Sequence, residues 1–287
     1  MNNRVAAYSS FTFSYLNRAR VLAKSVKRFN PDWTFVALIS DKPPETFKFD
    51  LKLEPFDEVI WLEDLASHYE DGWVEKHNII ELCTAVKGMT MLELLNRGFD
   101  KVFYLDPDVA VFSNLSFLED LLDQHEILLT PHQLDQSEDV HFDIVDNELC
   151  SLTHGVYNLG FVGAANRGDG LRFAKWWKAR LLKYCKEDIP NGMFTDQRWC
   201  DLVPAFFDGT KIVRDQGCNV ASWNLNRRKL KVTAGGDVVV NGDKLKFFHF
   251  TKLGQVGDTM TQRYAKDNFE VYELWAWYKR EIEKATE

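Results

Sequence analysis

The sequence predicts an α/β fold with a mostly parallel, twisted sheet and helices on both faces. Three observations carry that expectation. Short apolar runs alternate with helical segments through the first half, the pattern of strands joined by crossover helices. One of them, FVALIS (35–40), reads as a buried strand. Hydrophobic residues make up 45% and charged residues 27% of the 287 positions, enough apolar surface for a sizeable core without disulfides.

Taken in order, residues 4–9 form a first strand. A helix follows in which Leu16, Ala19, Leu22, Ala23, Val26 and Phe29 share one face, and Asn30-Pro31 ends it. FVALIS (35–40) and EVIWL (58–62) are the next strands. A helix over 79–96 stops near Gly98, and KVFYL (101–105) runs straight into Asp106-Pro107-Asp108. In the second half, 127–130 and 156–163 read as strands, with helices over 171–184 and 194–202. A smaller antiparallel portion is expected over 237–250, turning at Asn241-Gly242. The chain closes with a helix over 269–284, whose stripe of Val271, Trp275, Tyr278 and Ile282 reads as core packing. No linker, repeat or low-complexity stretch interrupts the chain, which favours one domain over 1–287.

The formal charge is -8, from 35 basic and 43 acidic side chains. That balance argues against nucleic acid as a partner. It leaves room for a small anionic ligand, because one cation can reverse the field of a single cleft. The five cysteines are dispersed without a CxxC pair, reading as reduced thiols of a cytoplasmic protein. No signal-peptide pattern and no apolar run of about 20 residues is seen, so no transmembrane segment is expected. Peripheral contact at the inner membrane face and the oligomeric state stay open.

Asp106 and Asp108 stand two residues apart where a buried strand ends. Paired hard oxygens with open coordination positions suit Mn²⁺ or Mg²⁺ shared with a substrate's phosphates. Asp and Pro are also favoured turn residues, so a solvated turn is the alternative. Lys87 falls inside the apolar arc of its helix. A buried lysine requires an anionic partner, a ligand phosphate or an acidic side chain, unless its amine snorkels to solvent. Arg18 and Arg20 on the first helix, with Tyr8 and Ser9 near the first strand's end, are nucleotide contacts by position.

The segments SYLNRARVLAKSVKRFNPDW, ELCTAVKGMTMLELLNRGFDKVFYLDPDVAVF, VYNLGFVGAAN, TDQRW and FFHF, in that order, resemble the GT-A-fold retaining glycosyltransferases of the family 8 type. That is the glycogenin and lipopolysaccharide galactosyltransferase group, and the resemblance is closer to its bacterial relatives. It implies a GT-A (Rossmann-like) sheet, with a nucleotide-binding half over about 1–112 and an acceptor half over about 113–255. It implies a metal held by Asp106, Asp108 and His249, where His249 read alone is as well a core histidine. It implies a donor-sugar or acceptor contact from Asn158, alternatively the partner of a bulge beside Gly160. Asp196 is implied at the donor-sugar hydroxyls, with helix capping as its other reading, and Gln197 below the reacting carbon. Lys252 is implied at the donor phosphates, and Lys87 as a basic residue reaching the donor. The expected activity is metal-dependent transfer of a hexosyl group from a nucleoside-diphosphate sugar to a saccharide or glycolipid acceptor in polysaccharide biosynthesis. Competing expectations are an inactive sugar-nucleotide-binding scaffold and a metal-dependent phosphohydrolase or nucleotidyltransferase.

Overall fold

Strand β1 (Val5–Phe11) is buried on both faces, and its alternation assigns each face a helix. Ala7 and Phe11 pack with Leu22, Ala23 and Val26 of α1 (Leu16–Phe29). Ala6 and Tyr8 pack with Val86, Met89 and the other apolar residues of the expected second helix. The computed structural model describes residues 4–137 and 140–286.

The next elements are β2 (Thr34–Ile39), β3 (Glu58–Trp61), α2 (Ile79–Asn96) and β4 (Lys101–Leu105). Helix α2 starts where it does because Asn78 Oδ1 accepts from the amides of Ile80 and Glu81, while Glu81 returns a carboxylate to the Asn78 amide. This reciprocal cap satisfies donors that the first turn leaves free. Then come β5 (Val109–Val111), α3 (Ser116–Gln124) and β6 (Ile127–Pro131). A helical segment follows, built of α4 (His141–Asp143), a π-helical turn (Ile144–Leu149) and α5 (Cys150–His154). Strand β7 (Tyr157–Ala165) and α6 (Gly168–Tyr184) complete the central layers. Helix α6 lies so close to α2 that a Cβ on Gly88 would stand 2.7 Å from the Lys178 amide nitrogen.

The main sheet has the order β10-β6-β7-β4-β1-β2-β3, where β10 spans Thr210–Ile212. It is parallel except for β7, which runs antiparallel to β4 and β6. Outside it lie the short elements β8 (Glu187–Asp188), β9 (Met193–Phe194), α7 (Val203–Phe206) and β11 (Val220–Ala221). Next are β12 (Leu230–Val232), β13 (Val238–Val240), β14 (Asp243–Lys244) and β15 (Phe247–His249). The chain ends with α8 (Gln255–Ala265) and α9 (Phe269–Lys284). Among the described residues, no helix is long and apolar enough to cross a membrane.

Three local expectations are corrected. Strand β1 continues two residues past Ser9, because Ser10 and Phe11 still pair with Leu38 and Ile39. The helix expected over 194–202 does not form. Phe194 pairs with Glu187, Thr195 takes φ +44°, and only a 3-10 stretch (Arg198–Leu202) follows. A β-branched residue at positive φ cannot sit inside a right-handed helix. The hairpin does turn at Asn241-Gly242, with φ of 52° and 102°, but its partner strand is only Asp243–Lys244. The chain then leaves to form β15, which pairs antiparallel with β5 and parallel with β11.

The aromatic stripe of α9 covers that second sheet. Val271, Trp275 and Tyr278 are buried with Phe248 and Phe250, and Tyr278 stacks on Phe250 with centroids 3.9 Å apart. This packing anchors the strand carrying His249.

Candidate active site

The apolar strand β4 must stop at Leu105, since Pro107 has no amide to offer a ladder. The chain turns instead. The Asp106 amide donates to the Gly160 carbonyl at 3.0 Å, and the Val109 amide donates back to the Asp106 carbonyl at 3.0 Å. Strand β5 leaves at once and pairs with β15 so that His249 lies opposite Val109. The Phe250 amide closes the junction on the Asp108 carbonyl at 2.8 Å. Two strands of different sheets therefore deliver Asp106, Asp108 and His249 to one point.

One ligand atom from each of these three residues lies within 4.8 Å of the others. His249 Nε2 is 3.0 Å from Asp108 Oδ1 and 3.6 Å from Asp106 Oδ2. Its other nitrogen, Nδ1, is 3.1 Å from Asn158 Oδ1. An amide oxygen only accepts, so Nδ1 carries the proton and donates. That fixes the ring with Nε2 toward the carboxylates, the way an outer partner orients a ligating histidine. Asn158 Oδ1 also accepts from the Gly160 amide and from Asn219 Nδ2, each at 3.2 Å. The position after Leu159 must be glycine. A Cβ there would lie 2.5 Å from His249 Cε1 and 2.7 Å from Asn158 Oδ1.

Burial alone would push the Asp108 carboxyl up and the His249 imidazole down. The charge and hydrogen bond of each partner overturn this, holding Asp108 below its usual value and raising His249. Arg18 adds to the pull on Asp108. The pair is thus a proton bridge that a divalent cation can replace. Two hard carboxylates and a neutral imidazole form a donor set that fits Mn²⁺ or Mg²⁺.

Lys87 is 3% exposed. Its ammonium lies 3.2 Å from Asp106 Oδ1 and 2.9 Å from Asp196 Oδ2, and donates to the Leu159 carbonyl at 3.1 Å. It also sits 4.2 Å from the Tyr104 ring centroid, and the Tyr104 hydroxyl donates to Asp106 Oδ1 at 2.5 Å. The required anionic partners are these two acidic side chains. Burial works against the ammonium, but the two carboxylates win and keep Lys87 protonated. Burial likewise pushes Asp196 up, opposed by Lys87. Lys87 thereby couples the Asp-Pro-Asp turn to the segment that replaces the expected helix. Asp196 caps nothing. Its other oxygen accepts from the Thr195 hydroxyl at 3.1 Å.

Two cavities meet here. A smaller one of about 220 Å³ is walled by Ser10, Phe11, Thr12, Tyr15 and Cys83. A larger one of about 550 Å³ is walled by His132, Asn147, Asn158, Trp223 and Lys252, among others. Both include Lys87, Asp106 and Asp108.

The other expected residues are placed as follows. Gln197 lines the larger cavity, but its amide is committed, with Nε2 donating to the His154 carbonyl at 2.9 Å and Oε1 accepting from the Leu159 amide at 3.4 Å. Lys252 is exposed at the rim of the same cavity, at φ +54°. The Arg18 guanidinium stacks over Tyr15 at 4.2 Å. Tyr8 and Ser9 line neither cavity. Tyr8 is fully buried with its hydroxyl on the Lys87 carbonyl, and the longer β1 puts Ser10, Phe11 and Thr12 at the strand mouth instead. Arg20 is turned away, gripping Glu54 at 2.7 and 2.5 Å and the Ala285 carbonyl at 2.6 Å.

His132, at the end of β6, had no motif to signal it beyond that strand end. Its Nδ1 is 3.1 Å from the Val156 carbonyl and its Nε2 3.3 Å from Asn158 Nδ2. Donating at one nitrogen and accepting at the other, it is neutral. Burial pushes its pKa down to about 4.

No protein-family model matches this chain. Among curated proteins it is similar to YfnF of Bacillus subtilis (strain 168), 24% identical over 245 residues, covering 82% of this chain and 77% of YfnF. It is also similar to YfnD of the same strain, 24% identical over 175 residues, covering 60% of this chain and 53% of YfnD. Both are named as uncharacterized. Among solved structures, the bifunctional glycosyltransferase WbbM superposes with a TM-score of 0.50 at 13% identity, over 95% of this chain and 52% of WbbM. GlyE of Streptococcus pneumoniae TIGR4 gives 0.44 at 18%, over 75% of this chain and 46% of GlyE. The galactosyltransferase LgtC, solved with donor and acceptor sugar analogues, gives 0.41 at 18%, over 76% of this chain and 75% of LgtC. These solved neighbours are glycosyltransferases. The chain spans about half the length of WbbM and GlyE. At such identities the shared property is the fold, and the mixed α/β fold with a mostly parallel sheet agrees with the class read from the sequence.

Proposed function

We propose that this chain is a divalent-metal-dependent glycosyltransferase, moving a hexosyl group from a nucleoside-diphosphate sugar to an acceptor hydroxyl. The observation that carries the reading is the convergence of Asp106, Asp108 and an oriented His249 where two cavities join. The metal would be Mn²⁺ or Mg²⁺ on those three side chains, neutralising charge that develops on the departing diphosphate. The nucleoside would occupy the smaller cavity, with Ser10, Thr12 and Tyr15 on its walls. Donor sugar and acceptor would share the larger one.

Within this reading Asn158 holds the His249 ring in its ligating tautomer. Lys87 stands between Asp106 and Asp196 and offsets the charge of the buried Asp196 carboxylate. Asp196 faces the donor-sugar hydroxyls. Gln197, held by two backbone partners, forms a fixed floor below the anomeric carbon, where preorganisation saves reorientation during reaction. Lys252 at the rim faces the donor phosphates. Retention of anomeric configuration and a bacterial glycan or lipid-linked acceptor belong to the proposal through the sequence resemblance, and a cytoplasmic site of action through the dispersed cysteines.

The test is nucleoside diphosphate release from UDP- and GDP-sugars with Mn²⁺, with and without EDTA. Chelation or Asp108→Asn should lower the rate by about 10² or more. Release of phosphate or pyrophosphate would mark a hydrolase or nucleotidyltransferase. Binding of the nucleotide sugar without turnover would mark a scaffold.

A further inference from the structure

The π-helical turn Ile144–Leu149 forms one wall of the larger cavity. Single π-helical turns recur at functional sites. This one carries Asn147, which lines the cavity and is 2% exposed, with neither its amide nitrogen nor its amide oxygen partnered. The turn packs against Ser222–Asn224. There Trp223 lines the same cavity, and its indole nitrogen is also buried without a partner.

Several neighbours of both residues are committed to other partners. Asp146, next to Asn147, is bound by Arg263 and by the Tyr264 hydroxyl at 2.8 Å, which ties the turn to α8. Gln133 donates to the Trp223 carbonyl at 2.8 Å. The Trp223 ring stands edge-on to His132 and His249, with centroids 5.5 and 5.4 Å away. Buried polar groups in folded proteins are nearly always hydrogen-bonded, and orphaned ones call for a ligand or a functional role. Two orphans on one cavity wall point to the same absent occupant.

We propose that Asn147 and Trp223 form a subsite for a neutral saccharide ring, the acceptor sugar of the reaction proposed above. A carboxamide supplies one donor and one acceptor face, an indole supplies a donor and an apolar ring, and neither carries charge. That set matches the hydroxyls and the C–H face of an uncharged sugar. It offers no cation to a phosphate. Both residues line the larger cavity and not the smaller, so the subsite lies across the Asp-Pro-Asp from the proposed nucleoside pocket. The assignment of this ring to the acceptor rests on that reading of the donor side.

The experiment is saturation-transfer NMR on the full chain with Mg²⁺ and UDP or GDP. The probes are methyl β-D-glucoside, methyl β-D-galactoside and methyl N-acetyl-β-D-glucosaminide. The wild type is expected to bind at least one of them. Asn147→Leu and Trp223→Phe are each expected to bind it about tenfold more weakly, the loss of one buried hydrogen bond. Asn147→Leu should melt at or above the wild-type temperature, because it removes an unpartnered amide. Three results overturn the proposal: no glycoside bound by the wild type, unchanged affinity in either variant, or weakening that accompanies a lower melting temperature in both. Nucleoside diphosphate binding, read by thermal shift in the same samples, judges the donor reading separately. A wild type that binds a glycoside but no nucleotide sinks the donor reading and leaves the subsite standing.

Discussion

Replacing Lys87 by methionine removes the cation between Asp106 and Asp196 while keeping most of the side chain's volume. The Asp106 side chain is 25% exposed and can hydrate, whereas that of Asp196 is 4% exposed and cannot. The cost therefore falls on Asp196. Leaving one member of a buried ion pair uncompensated costs about 3–5 kcal/mol, which for a chain of this size lowers the melting temperature by about 10 °C. The loss should depend on pH. Burial already raises Asp196 against the pull of Lys87, and without Lys87 it rises further above its unfolded value. The folded variant then binds more protons than the unfolded chain, so its stability improves as pH falls through the raised pKa. Urea unfolding of wild type and Lys87→Met at pH 7.5 and pH 5 measures this, and adding Asp196→Asn should recover most of the loss at pH 7.5. A loss below about 1 kcal/mol at pH 7.5, or one identical at both pH values, would refute the buried-charge argument.

Gly160→Ala should push the His249 ring off its seat, since the new Cβ would lie 2.5 Å from Cε1. Overpacking of this kind costs about 1–3 kcal/mol, and disturbing the support of a ligand costs about 10–100-fold in metal affinity. Mn²⁺ affinity by calorimetry within twofold of wild type would contradict it. His132 is neutral when folded, with its pKa pushed down to about 4 by burial. The unfolded chain binds the extra proton, so stability is lost as pH falls from about 6.5 toward 4. Because the ring is partly open to the cavity, the loss is about 1–2 kcal/mol. His132→Gln should flatten that part of the pH profile in urea melts, and an unchanged profile rules the group out. Arg20→Ala should destabilise by about 3 kcal/mol, because it orphans the buried Glu54 carboxylate. Turnover per folded molecule should stay near wild type, and a selective rise in donor KM would restore Arg20 to the nucleotide.

The strand into Asp-Pro-Asp and the helix carrying Lys87 were both legible from local pattern. An apolar run that meets a proline must end, and a lysine within a helix's apolar arc must find an anion. The identity of that anion was not legible. Asp196 comes from a segment whose sequence suggested a helix, and Thr195 at φ +44° overrides that suggestion. Strand direction escaped as well. Residues 156–163 read as a strand, but the same apolar run suits either orientation, and only the pairing with β4 and β6 makes β7 antiparallel. Strand β1 runs two residues further than its sequence suggested, so Ser10, Phe11 and Thr12, and not Tyr8 and Ser9, line the smaller cavity.

By itself the sequence determined the α/β layering, the order of the principal elements and the carboxylate pair at a strand mouth. Those follow from periodicity, propensity and the chemistry of neighbouring residues, which act over a few positions. Tertiary structure alone decided that β15 leaves its hairpin to set His249 beside Asp108, and that Asn158 orients the ring. It also decided that a π-helical turn holds Asn147 at a cavity without a partner. Such juxtapositions join residues far apart in the chain, and the burial of Phe248, Phe250 and Tyr278 against one another fixes them. No local pattern encodes a contact whose energy comes from packing that only the assembled fold creates.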